Sequence, residues 1–380
     1  MNDAVDYAVV GAGLAGASTA WRLAQGGHRV ALLDASGPAN QRGSSHGSAR
    51  ILRYVYPDPL YIRLMQEAED GWAELERLHG APLVTRTGCL DAGERHDPRG
   101  LARLLAEAGI EHELLSPAVA DERFGDRFAF GTEALWHASA GVLDAESTVD
   151  AMVAAAVAQS ATILTDWAVA DVTRQGAGYV LRSDDGRRLS ARRVVVAAGG
   201  WLPRMLGRLD LPTQFTRALP EFTVMQEAAF HFPYRNESFA QDPTPWPTSI
   251  HYLPDMIVYT LPGGRDAGFA GQKVAEFNGG TPLPDASAQT GRITDEQRRR
   301  VTDYAARYLP GVEPESYAET TCLFTNTPDE DFVFDQHEGL TVVSACSGHG
   351  AKFAPLLGTL AAGLATGERD VPAQLRPTRR

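Results

Sequence analysis

Four residues near the amino terminus have the types and spacing to hold a pyrophosphate. Gly11, Gly13 and Gly16 follow the apolar run DYAVV and open the alanine-rich stretch LAGASTAWRLAQ; Asp34 closes the next apolar run, HRVALLD. In such a unit the first glycine permits a tight turn, the second lets the backbone approach phosphate oxygens, and the third lets the helix pack closely on the strand. The unpaired N–H groups of the helix amino terminus then face the phosphates. Asp34 stands where a carboxylate accepts hydrogen bonds from the ribose hydroxyls of an adenosine and disfavours a 2′-phosphate, about 20 residues beyond the glycines. A lone G-x-G-x-x-G is a weak signal, but here strand, turn, helix and acidic strand end agree. The chemistry implied is dinucleotide binding, which serves a flavin or a nicotinamide cofactor alike.

Other groups could carry chemistry. The segment PANQRGSSHGSARILRYVY gathers hydroxyls, an imidazole and guanidinium groups in the manner of a loop lining a polar ligand. Lys352 sits between Gly350 and Phe353 at an expected strand-to-helix turn, an apolar context in which a charge needs a partner. Cys89, Cys322 and Cys346 are odd in number and widely spaced, which argues against a disulfide framework and a cysteine-rich zinc site. The histidines are scattered, and no His/Cys/Asp spacing suggests a ligand set, so no metal is expected.

The elements that must position these groups follow from periodicity. The first 34 residues read as a β-α-β unit with its helix over about 14–25. Further helices are expected over about 61–78, 101–108, 147–159 and 294–308. Short strands from about residue 161 end in RRVVVAAGG, with Gly199 and Gly200 closing what resembles a return to the nucleotide unit. A β-rich, proline- and aromatic-rich middle spans about 214–274. The tail GLTVVSACSGHGAKFAPLLGTLAAGLATG repeats the strand, glycine turn, helix order of the amino terminus, with Gly348 and Gly350 in the turn. The expected architecture is α/β. A discontinuous Rossmann-like nucleotide domain takes residues 1–82, 145–213 and 318–380, and an inserted α+β, β-sheet-rich substrate domain takes 83–144 and 214–317.

The 380 residues, 44% hydrophobic and 22% charged, describe a globular chain long enough for two packed domains. A net charge of −13 works against nucleic-acid and anionic-membrane partners. Arg298 to Arg300, in DEQRRR, read as the solvated face of an acidic-then-basic helix. No run approaches the roughly 20 apolar residues of a membrane span, and no secretory leader is apparent. The expected setting is cytoplasmic, as a monomer or small homo-oligomer.

Taken together, GAGLAG, GSSHGSARILR, AGQKV, TTCLFTNTPDEDFVFD and SGHGAKF, in that order, resemble the D-amino-acid oxidase superfamily of flavoproteins, and within it the sarcosine oxidase and N-methyltryptophan oxidase group. The resemblance covers nearly the whole chain. It implies FAD as cofactor, attached as an 8α-S-cysteinyl thioether through Cys322, which lies just before the Thr-Pro-Asp-Glu stretch. It implies that Arg53 and Lys352 clamp a substrate carboxylate, a role that suits the planar fork of arginine and the point charge of lysine. Lys273 matches the lysine over the flavin that assists reaction with oxygen, and Tyr259 matches a pocket tyrosine. Ser44, His46 and Arg50 fall in the loop beside the flavin.

The activity implied is oxidation of a secondary amine or amino acid. A hydride passes to the flavin, the resulting imine is hydrolysed or released, and O2 is reduced to hydrogen peroxide. The alternatives are an FAD-dependent dehydrogenase using another acceptor and, on the amino-terminal fingerprint alone, a nicotinamide-dependent dehydrogenase. Two departures bear on substrate: Phe277 stands where the sarcosine oxidases carry a histidine, and Phe324 where they carry a tyrosine. Exchanging two polar groups for phenyl rings makes the pocket more apolar. The expected substrate is therefore an N-alkyl, cyclic or aromatic amino acid in place of sarcosine.

Overall fold

The computed structural model describes residues 4–236, 238–241 and 246–379, and every site residue named above lies within them. Valine- and leucine-rich runs build a parallel sheet buried on both faces, which is why they lack polar alternation. Five strands run parallel in the order Leu340–Ser344, Arg188–Val196, Val5–Val10, Val30–Leu33 and Thr162–Leu164. Val169–Gln175, Gly178–Ser183 and Val333–His337 extend it with antiparallel pairings. Alternate side chains serve two cores. Tyr7, Val9, Val30, Leu32 and Val195 pack with the helices Leu14–Gln25 and Ala354–Thr366. Ala8, Val10, Ala31, Leu33, Val194 and Val196 pack with Trp167, Leu202, Phe215 and Leu219. The two helices touch closely where a Cβ on Gly358 would lie 2.2 Å from the Ser18 carbonyl oxygen.

A nine-stranded sheet forms the second layer. Its central strands are Thr223–Pro233, Gly271–Glu276, Ile257–Pro262 and Thr248–Tyr252, continued through Cys89–Ala92, Ala134–His137 and Glu113–Leu115. One face carries Phe230, Val258 and Val274, covered by Val301, Tyr304 and Ala305 of the helix Asp295–Tyr308. That helix starts at a reciprocal cap between Thr294 and Gln297. Its arginines pair outward, Arg298 with Asp295 and Glu319, Arg299 with Glu296. The opposite face of the sheet turns toward the nucleotide unit.

Two elements cross the boundaries expected from sequence. The strand Ala318–Asn326, placed with the nucleotide unit by a boundary at 318, pairs along its whole length with Thr223–Pro233 in the nine-stranded sheet. Its mix of threonines and apolar residues suits either sheet, so only the long-range pairing assigns it. Likewise Arg50–Leu52 joins Gly141–Leu143 and Val84–Arg86 in a small third sheet between the layers.

Candidate active site

A cavity of about 1010 Å³ runs from the carboxyl ends of the parallel strands to the inner face of the nine-stranded sheet. At its first end Gly11 has φ of +99°, and a Cβ there would lie 2.4 Å from the Ala197 carbonyl oxygen. A Cβ on Gly16 would lie 1.7 Å from the Gly11 oxygen, so the helix sits as close to the strand as the fingerprint requires. Gly13 caps the helix in extended conformation, leaving the turn open to the cavity. Asp34 accepts three bonds on Oδ1, from Ser36 N, Gly37 N and Asn40 Nδ2, but one on Oδ2, from Ala12 N at 2.8 Å. The carboxylate is thereby held rigid with acceptor capacity left on Oδ2. Ser44, Gly199, Trp167 and Arg42 complete this wall.

At the far end the strands bring four cations to one region. Arg50 donates to the carbonyls of Ala49, Ser44 and His46, which hold the GSSHGSAR loop in shape. Lys273 Nζ donates to Ala49 O at 3.3 Å, and burial, with Arg50 adding, lowers its pKa to about 8. Arg53 bonds Asp91 Oδ1 at 3.0 Å, the Val55 carbonyl, and Tyr252 OH at 3.4 Å. Burial opposes its charge, but Tyr252, Asp91 and Tyr56 outweigh that and raise its pKa. Lys352 Nζ donates to Tyr56 OH at 3.0 Å and His349 O at 2.7 Å, and burial followed by the Arg53 charge pulls its pKa well below the usual lysine range. Asp91 is the one carboxylate among the described residues bonded to either Arg53 or Lys352.

Tyr259, Phe277, Phe324, Cys322 and Gly348 line the same region. The phenyl rings lie 5.7 Å apart, and a Cβ on Gly348, whose φ is +71°, would come within 2.6 Å of each. A bare glycine thus lets both rings close one wall. Burial raises the Cys322 thiol pKa, while Arg50 and Lys273 pull the other way. Gly350 and Lys352 line the cavity as well. His46 is half-buried and outside the lining, with Nε2 unpartnered among the described residues and a pKa lowered to about 4 by burial and then by Arg50 and Lys273.

One group of possible ligand atoms does come together among the described residues. Cys89, Asp91 and His137 place their donor atoms within 4.8 Å of one another, fully buried, although 46 positions separate the last two. Strand pairing of Cys89 directly opposite His137 creates the group. Its chemistry suits hydrogen bonding better than a cation, because the Arg53 guanidinium occupies Asp91 and repels positive charge. The Cys89 thiol, its pKa raised well above usual by burial and then by Asp91, donates to that carboxylate.

Sequence reasoning passed over Asp91, Tyr252, Tyr56 and His349. A detectable signal existed for Asp91 alone, an acid inside the otherwise apolar run CLDA. The others are typical buried aromatic residues until the fold brings them to Arg53 and Lys352.

A Rossmann-type sheet whose fingerprint end opens into a cavity walled by a second sheet defines a dinucleotide-dependent oxidoreductase. The sequence pattern of the family described as FAD dependent oxidoreductase matches residues 6–364, and the chain belongs to that family. The nicotinamide alternative falls with this assignment. Among curated relatives, the peroxisomal sarcosine oxidase of Mus musculus is 30% identical, covering 93% of this chain and 90% of its own length. The N-methyl-L-tryptophan oxidase of Yersinia pseudotuberculosis is 28% identical, covering 94% of each chain. Among solved structures, the open form of NikD, an unusual amino acid oxidase essential for nikkomycin biosynthesis, superposes with a TM-score of 0.84 at 24% identity, covering 99% of this chain and 98% of that one.

The residues present fit FAD. The Gly11–Gly16 turn leaves a cradle that a single Cβ would fill, Asp34 keeps a free acceptor on Oδ2, and the cavity continues without interruption to the cations around Cys322.

Proposed function

We propose that this oxidoreductase acts on a secondary amine borne by an amino acid, of N-alkyl, cyclic or aromatic type, with FAD anchored through Cys322 and O2 as electron acceptor. The observation that carries the reading is the Arg53–Lys352 pair: Arg53 is bonded to Asp91, buried Lys352 has no carboxylate partner among the described residues, and both line a cavity walled by Tyr259, Phe277 and Phe324. A substrate carboxylate supplies the missing negative charge, meeting the guanidinium fork and the ammonium point charge together. Its arrival stabilises the charged form of Lys352, which burial and the Arg53 charge disfavour. The phenyl rings exclude water and favour an apolar substituent over the small polar sarcosine. When bound, FAD supplies the two-electron acceptor for the hydride on the carbon next to nitrogen. Lys273, buried and cationic below about pH 8, stabilises negative charge as oxygen is reduced. The chain's own contribution is thus orientation and electrostatics. The sarcosine and N-methyl-L-tryptophan oxidases among its relatives support N-methyl amino acids as the first substrates to try.

The test is a screen of N-methyl, cyclic and aromatic amino acids for peroxide release, with the matching decarboxylated amines as controls. Turnover of an amino acid but not of its amine supports the clamp. Equal turnover of both overturns it. Reduction of a dye without peroxide would favour the dehydrogenase reading.

A further inference from the structure

Glu227 lies within the strand Thr223–Pro233, 1% exposed and directly opposite Cys322 across the antiparallel pair with Ala318–Asn326. Opposed residues in such a pair share a face, with Cβ atoms about 4.5–5.5 Å apart. His231 on the same strand opposes Lys273, and Tyr259 opposes Ala275 on the Lys273 strand, so Glu227 shares one sheet face with Cys322, Lys273 and Tyr259, and those three line the cavity. Among the described residues neither carboxylate oxygen of Glu227 has a side-chain partner, and the backbone N–H groups of Gly279 and Gly280 lie beside it. Burying an acid without a counter-ion costs stability that an apolar side chain would not. The strand pairing gives no reason for it, whereas the adjacent thiol does.

We propose that Glu227 is the proton acceptor for Cys322 in forming the thioether to FAD. The proposal rests on the covalent-flavin reading of Cys322 and deepens it. A sulfur–carbon bond forms to the flavin methyl carbon as the S–H bond and one methyl C–H bond break. The thiol proton goes to Glu227 and the methyl proton to solvent. The two electrons released reduce the ring, and dioxygen then takes them with two protons as hydrogen peroxide. Before transfer Glu227 must be ionised; afterwards it is neutral and the thiolate faces Arg50 and Lys273.

The surrounding charges fit this use. Burial, with the Glu276 charge adding, raises the Glu227 pKa to about 8. The thiol is raised by burial, lowered by Arg50 and Lys273, and raised again by Glu227 and Cys346. Tyr259 feels both Cys322 and Glu227 but stays protonated, because burial raises its pKa further. A carboxylate directly across the strand pair from the thiol is placed to take its proton as the sulfur attacks, and general-base help of this kind is worth about 10²–10⁴ in rate.

The test uses the full chain produced without flavin in riboflavin-starved cells and mixed with FAD. Flavin retained in the acid-precipitated pellet is followed over time between pH 6 and 10, and FAD uptake before precipitation confirms a folded site. The expected wild-type rate rises through about pH 8 and then levels, as an ionised base requires. Glu227→Gln, and Glu227→Val in case glutamine does not pack, should take up FAD yet attach it at least about a hundredfold more slowly at pH 8. Their rates should keep climbing above pH 9 with the thiol's own ionisation. Attachment by either variant at the wild-type rate and pH profile overturns the proposal. If wild-type pellets stay colourless at every pH, as Cys322→Ser pellets should, the covalent reading itself fails and takes the role of Glu227 with it.

Discussion

Replacing Arg53 by methionine tests the site's electrostatics and the fold's tolerance together. The guanidinium holds three partners: the Val55 carbonyl, Tyr252 OH at 3.4 Å and Asp91 Oδ1 at 3.0 Å. Its side chain is 15% exposed and that of Asp91 is 0% exposed, so solvent cannot replace what the carboxylate loses. Removing one member of a buried ion pair costs about 3–5 kcal/mol, most of it the uncompensated charge left behind. Asp91 has a lowered pKa because Arg53 and His137 together overcome its burial. That pair's stabilisation is present above the unfolded carboxylate pKa and lost as pH falls through the lower folded value. In Arg53→Met the folded pKa should instead rise above the unfolded one, so the loss should shrink in acid. Urea unfolding of the apoprotein at pH 7.5 and pH 5 measures both effects. The double variant Arg53→Met/Asp91→Asn removes the charge as well as its partner and should recover most of the loss at pH 7.5, without recovering binding of a carboxylate ligand. If Arg53→Met loses under about 1 kcal/mol, or the double variant is no more stable than the single, the cost is not an orphaned charge and the reasoning fails.

Lys273→Met should leave anaerobic reduction of the flavin by substrate within a few-fold of wild type while slowing reoxidation by O2 by about 10²–10³, the usual loss of a fixed charge at a developing anion; stopped-flow mixing separates the two half-reactions. In wild type the reoxidation rate should fall as pH rises through about 8, where Lys273 loses its proton. Gly11→Ala should abolish FAD uptake, because the Cβ meets the Ala197 oxygen at 2.4 Å and the φ of +99° disfavours any side chain; a yellow, folded variant would contradict the cradle. Phe324→Tyr, alone or with Phe277→His, should shift kcat/KM toward sarcosine relative to bulkier N-methyl amino acids by about 10–200-fold, the range a single pocket group commands. An unchanged ratio would show that the rings do not set specificity.

How much could be read beforehand depends on the range of the interaction. The β-α-β unit was legible because its signals are local: a helix predicted over 14–25 is Leu14–Gln25, and the strand ending in VVVAAGG lies beside the first strand. The helix predicted over 101–108 begins earlier, at Pro98, because Asp97 caps it by accepting from Gly100 N. Ala318–Asn326 was misassigned because partner choice between two sheets is a long-range matter that nothing in TTCLFTN encodes. The same limit hid the Cys89, Asp91, His137 group, whose proximity depends on cross-strand register. His46 marks another limit: its loop lines the cavity, but which way a single side chain in it turns is not written in loop composition.

The placement of Leu340–Ser344 and Ala354–Thr366 bears on how the protein comes off the ribosome. That strand flanks Arg188–Val196 in the parallel sheet, and that helix covers the one at Leu14–Gln25. Ala318–Asn326 does the same for the other sheet. The parallel sheet is not complete until residues beyond 340 have emerged, so at about 5–20 residues per second its first strands wait roughly 20–70 s with one flank open. Nascent chains arrested before residue 340 should therefore depend on chaperones, and the last hundred residues act as the closing element of a fold begun at the first glycine turn.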